Sequence, residues 1–208
     1  MGAVVALDQM LAERTVWRGK APARTSSPTQ PTGLAALDAA LPFGGWPPAS
    51  LSEVLMACDG LGELSLLWPT LARLTAARVP VVVVGPPYLP YAPAWHLAGV
   101  ALDYVTVVHA DASRAMWAAE QCLRSSACGA VLCWPKNPTD QALRRLQVAS
   151  ETGHALAFAF RPERAADNPS PAALRLHVHA HPRRVRVLKC RGANPPAHSI
   201  PMPAFALS

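Results

Sequence analysis

Residues 50–67 read SLSEVLMACDGLGELSLL, and the fold turns on how the middle of that stretch is read. SLSEVLMA has the composition of a short buried strand. Gly60 and Gly62 then punctuate a loop, and a helix follows from about Gly62 to Ala77, with Pro69 kinking it or closing its first part. Strand, glycine loop and helix are the parts of a phosphate-binding loop, whose working form is G-x-x-x-x-G-K-[ST]. On that frame Ala57 takes the first position, Gly62 the second glycine, Glu63 the lysine and Leu64 the hydroxyl. The backbone punctuation is there without its chemistry. Taken alone, DGLGE also fits a plain strand-to-helix turn, so the neighbouring segments must decide.

Working outward, the rhythm is strand then helix, four times over. VPVVVVGPP is a continuous β-branched run, as expected of a strand covered on both faces. A Pro/Tyr loop over 86–93 leads to a short helix with Trp95 and Leu97. YVTVVHA is a strand, and Asp111 caps the helix after it. GAVLCWP is a strand, followed by a helix with Pro138 near its start and Gly153 at its stop. HALAFAF is another buried strand. This alternation predicts an α/β fold with a mainly parallel sheet and helices on both faces. AALRLHVHAH and RRVRVLKCRG then alternate about an HPR turn, which predicts a C-terminal antiparallel hairpin. Upstream, Thr32 caps a short helix that Pro42 ends. The expected divisions are an N-terminal helix over 1–17, a flexible linker over 18–31, the core over 32–194 and a Pro-rich tail over 195–208.

Composition narrows the function classes. Charged residues are 15% of the 208 and apolar residues 51%, against about 25% charged in an average domain, which favours a well-buried core. No apolar run reaches the roughly 20 residues of a membrane-spanning helix. The first residues place their charges after the apolar stretch, the reverse of a secretory signal, so a cytoplasmic location is expected. The five cysteines, Cys58, Cys122, Cys128, Cys133 and Cys190, form no CxxC pair, so neither a disulfide framework nor a zinc site is expected. Residues 1–160 carry 11 basic and 11 acidic side chains, while 161–208 carry 8 and 2. A basic end on a neutral body suggests a polyanion or an acidic protein as partner. The densest cluster is Arg183, Arg184, Arg186, Lys189 and Arg191, with Arg184 and Arg186 on one strand face. It reads either as a contact for DNA phosphates or an acidic partner, or as charge that protects a sheet edge from aggregation. His177, His179 and His181 share one strand face, but no carboxylate or cysteine falls at ligand spacing, and no metal is expected.

The segment TGLAALDAAL, the Gly-Gly turn after it, the strand into the glycine loop, and VRVLKCRGANP together resemble the RecA-type ATPase core over about residues 30–197. Within that group the chain is similar to the ImuA-type (SulA-like) proteins of bacterial translesion DNA synthesis. They share its length, a helix ending in a VWRG-like stretch, the Pro-rich loop and a degenerate nucleotide site. The resemblance implies a nucleoid-associated DNA-damage protein. Its partners would be ImuB, a Y-family polymerase relative, and RecA, with an error-prone replicative-type polymerase engaged indirectly and DNA as a further candidate. On the family frame Trp134 stands at the Walker B acid and Pro87, or a neighbour, at the catalytic glutamate. With Glu63 and Leu64 these make a pseudo-ATPase without a cofactor. Like charges about 4 Å apart repel by about 4 kcal/mol at an effective dielectric near 20, so Glu63 opposes triphosphate binding as well as hydrolysis. The resemblance also suggests that residues 1–17, through Leu7, Leu11 and Trp17, support homo-oligomerisation or partner docking. The expected function is a non-catalytic adaptor in SOS-induced mutagenesis. The competing readings are a residual ATPase and a SulA-like cell-division inhibitor.

Overall fold

Leu51–Met56 form β1, buried at all six positions. A strand with no exposed face belongs in the interior of a sheet covered on both sides. In the computed structural model, which describes residues 30–111 and 113–202, β1 lies between β5 (Leu156–Pro162) and β6 (Leu174–His179), parallel to both. β2 (Val81–Val84), β3 (Val105–Val108) and β4 (Ala130–Cys133) extend the parallel sheet beyond β5. β7 (Arg184–Cys190) returns antiparallel to β6, and β8 (Ile200–Pro201) pairs antiparallel with β7. The order is β3-β2-β4-β5-β1-β6-β7-β8. The mainly parallel sheet and the C-terminal hairpin are those the sequence predicts. β6 itself runs parallel to β1 because a long connection from β5 carries the chain across β1 before the hairpin turns back.

The helices are α1 (Ala35–Ala40), α2 (Trp68–Ala76), α3 (Ala92–Leu97), α4 (Ala115–Arg124) and α5 (Asp140–Gly153). Those in one apolar cluster, α1, α2 and α3, pack Leu37, Leu71 and Trp95 with Val54, Phe158 and Phe160 of the sheet. α4 and α5 pack Leu123, Leu143 and Leu146 with Val131, Ala157 and Ala159. The alternation Ala-Phe-Ala-Phe in β5 therefore puts the bulk on one face and the small residues on the other, as a period of two requires. Trp46 is buried edge-on against Phe158, ring centroids 4.8 Å apart, and its indole N–H donates to Thr70 Oγ1 at 2.8 Å.

Local chemistry explains the boundaries. The Asp38 carboxylate accepts the Thr32 and Gly33 amides, and Thr32 Oγ1 accepts that of Leu34, which ties down the turn before α1; the capping position is Leu34, without a side-chain bond, and not Thr32 as the sequence suggests. The helix expected from Gly62 is divided. Glu63–Leu66 form a 3₁₀ turn, and α2 begins at Trp68 with Pro69 in its first turn, where a missing N–H costs nothing. Gly153 ends α5, but the left-handed residue is His154, φ 54°. Gly153 instead serves packing: a Cβ there would lie 1.7 Å from the Leu123 carbonyl oxygen of α4. The sheet also reaches into the Pro-rich C-terminal segment, since β8 lies in it.

Candidate functional site

The chain runs from β1 to one side of the sheet and later crosses to β6 on the other, so β1 borders the topological switch. Ligands in open α/β sheets bind outside the carboxyl ends of the strands at such a point. The loop there keeps two left-handed glycines, Gly60 at φ 86° and Gly62 at φ 80°. Glu63, 4% exposed, folds its carboxylate back so that Oε1 accepts the Gly60 amide at 3.2 Å. The molecule's own anion thus holds an amide that a phosphate-binding loop would offer to a ligand. Glu63 Oε2 is buried with no partner among the described residues. Leu64 packs against the core, and Ala57 is exposed after β1. From the β6–β7 turn, Arg183 donates to Ser65 Oγ at 2.6 Å and to the Gly62 carbonyl at 3.3 Å, stapling the loop from outside.

Pro87, after β2, and Trp134, after β4, are brought to this same end of the sheet. Both help line a cavity of about 420 Å³ whose wall also includes Tyr88, Lys136, Arg161 and Arg164. Trp134 stacks on Phe160 with centroids 4.6 Å apart and 12° between planes. Its indole N–H is buried without a partner among the described residues. Across Trp134 and Pro87 lies a smaller apolar cavity of about 190 Å³, walled by Glu63, Leu64, Trp68, Leu89 and Trp95 among others. The residues expected at the degenerate nucleotide site are thus gathered in one region.

Beneath the larger cavity is a cluster that the sequence reading missed. Glu53, fully buried in β1, receives Arg161 Nη1 from β5 on Oε1, and Arg175 Nε from β6 on Oε2 at 2.6 Å. Arg175 also donates to the carbonyls of Ala165, Ala166 and Asn168. Arg161, 6% exposed, leaves its Nε without a partner among the described residues. The one faint signal was a lone charged residue in a strand of Leu, Ser, Val and Met, since a carboxylate that is buried demands partners.

The basic cluster is placed differently from a free patch. Arg183 holds the loop, and Arg184 donates to Ser199 Oγ at 2.7 Å and to the Ser199 carbonyl at 2.6 Å, fastening the segment that forms β8. Lys189 donates to the Ser170 carbonyl at 2.6 Å, and its pKa is lowered by burial and then by Arg191 and Arg175. Arg191 reaches the Pro171 carbonyl at 3.4 Å and Glu151 at 3.8 Å. The Arg186 side chain is exposed, with no hydrogen bond or ion pair among the described residues. His177 meets Glu163 at 3.2 Å and His179 ring to ring at 4.1 Å, and burial is the main cause lowering the His179 pKa. Among the described residues no group of three or more His, Cys, Asp or Glu is placed to hold a metal ion. No helix among them is long and apolar enough to cross a membrane. Leu7, Leu11 and Trp17, with the helix and most of the linker expected around them, lie outside the described residues.

Among solved structures the chain is similar to SulA from Pseudomonas aeruginosa. The two are 26% identical with a TM-score of 0.45, over 56% of this chain and 99% of that one. No family model matches the chain, and no curated protein does.

Proposed function

We propose that this chain is a non-catalytic, RecA-like adaptor in damage-induced translesion DNA synthesis, one that joins an ImuB-type, Y-family-like protein to RecA. The observation that carries the non-catalytic half is Glu63, whose carboxylate is folded onto the Gly60 amide. An incoming triphosphate would have to displace it and would be repelled by it. The positions next to it supply no remedy: Leu64 cannot ligate Mg²⁺, and Pro87 and Trp134 cannot polarise water. The adaptor half rests on the resemblance of the sequence to ImuA-type proteins. Work by surface recognition suits a site with exposed aromatic and aliphatic groups and no nucleophile–base pair.

Two measurements test the two halves. Millimolar Mg-ATP is expected to leave the melting temperature of the full chain unchanged and to release no phosphate. A ligand held at 100 times its Kd would stabilise the fold by about 2.7 kcal/mol, so a clear upward shift would overturn the pseudo-ATPase reading. Co-expression with ImuB and RecA is expected to give co-purification, and clean separation of the three would remove the adaptor reading.

A further inference from the structure

The larger cavity carries more positive than negative charge on its wall. Lys136, Arg161 and Arg164 face a single acid, Asp59. Arg161 is paired with Glu53, but Glu53 is shared with Arg175, so the buried triad keeps a net positive charge. A buried guanidinium N–H and a buried indole N–H, Arg161 Nε and Trp134 Nε1, remain unpartnered among the described residues. Buried donors left over in this way call for an acceptor, and a group entering the cavity is one that would supply it.

Beside the cavity the loop after β2 holds Tyr88, Leu89 and Tyr91 in solvent, 68%, 81% and 69% exposed. Pro86, Pro87 and Pro90 restrict this loop, so little ordering cost remains when something packs on it. Tyr88 walls both the larger and the smaller cavity, so cationic pocket and apolar rim are continuous. Exposed apolar groups clustered beside polar ones mark an interaction surface.

We propose that cavity and loop form one groove for an acidic segment of a partner protein. A carboxylate of that segment enters among Lys136, Arg161 and Arg164, and an adjoining apolar side chain packs on Tyr88, Leu89 and Tyr91. This rests on the adaptor reading above and gives its partner a chemistry. Leu89, the most exposed group of the rim, offers no face on which a base can stack, and the repeating phosphates of a nucleic acid strand would need a longer track of cations than these three; both favour a peptide.

The test uses random peptides displayed on phage and selected against the full chain. Enriched sequences are expected to place Asp or Glu beside a large apolar residue. A fluorescein-labelled copy of one such peptide is then followed by anisotropy. Lys136→Glu and Arg164→Glu, both at exposed positions, are each expected to weaken binding at least tenfold, and Leu89→Ser about fivefold. Arg144→Glu, exposed on α5, is expected to change it less than twofold. Matched melting temperatures exclude misfolding. No enrichment, enrichment without an acid, undiminished binding to both charge-reversed variants, or displacement of the peptide by single-stranded DNA at lower concentration than by the unlabelled peptide overturns the groove. If the double variant Lys136→Glu/Arg164→Glu still co-purifies with ImuB and RecA, the groove falls and the adaptor stands. If the unaltered chain fails to co-purify, the adaptor reading falls by itself.

Discussion

Glu53 sits in the most protected strand of the sheet with each carboxylate oxygen engaged by a different arginine. Removing one member of a buried ionic group costs about 3–5 kcal/mol, because the remaining charges stay desolvated and unpaired. Glu53→Gln keeps the shape and removes the charge from between two guanidinium groups. It is expected to lower the melting temperature by roughly 6–20 °C, the shift such a loss gives in a chain of this length, as read by calorimetry. A shift below 2 °C would show the carboxylate to be dispensable. The sequence offered little to find this residue by, since a glutamate in a strand normally marks the solvent face. Arg183 misled in the complementary way. It opens the basic run that continues with Arg184 and Arg186, so it reads as surface charge, and only the path of the β6–β7 turn puts it over the glycine loop. Arg184 and Arg186 separate the two roles by experiment. Arg184→Ala loses two hydrogen bonds to Ser199 and is expected to cost about 1–2 kcal/mol in a denaturant melt, while Arg186→Ala is expected to stay within about 0.5 kcal/mol.

At the scale of elements, strands and helices were largely legible because their signals are local. VVVV and AFAF declare buried strands, and Pro138 marks the start of α5 to within two residues, the cap itself being Thr139, which accepts the Ala142 amide. Strand order was not legible, since it depends on which way each crossover passes. The contact of α4 with α5 was hidden for the same reason: Gly153 looks like a helix stop, and its neighbour Leu123 is distant in sequence. The distinction is measurable. In an ordinary helix interior Gly→Ala stabilises by about 0.5–1 kcal/mol. Here the added methyl would meet the Leu123 carbonyl, so Gly153→Ala is expected to destabilise by about 2 kcal/mol, the usual scale of overpacking. Equal or greater stability in a urea melt would refute the packing role.

At the scale of the whole molecule, the sheet separates chemistry from support. The carboxyl ends of β1, β2, β4 and β5 hold the cavities, while the two apolar clusters fill the layers above and below. The cysteines report on that layering. Burial pushes the Cys133 thiol up to about 12. A raised pKa leaves less thiolate, the reactive form, at any lower pH. At pH 8 iodoacetamide is expected to modify exposed Cys58 in the native chain and to reach Cys133 only as the fold opens, as mass spectrometry of timed digests would record. Modification of Cys133 at the rate of Cys58 would mean that β4 is not enclosed. Trp134 carries a last consequence. One indole walls both cavities described above and a third hollow that reaches His109 and Asp111, so a guest that tilted the ring in any one of them would reshape the other two.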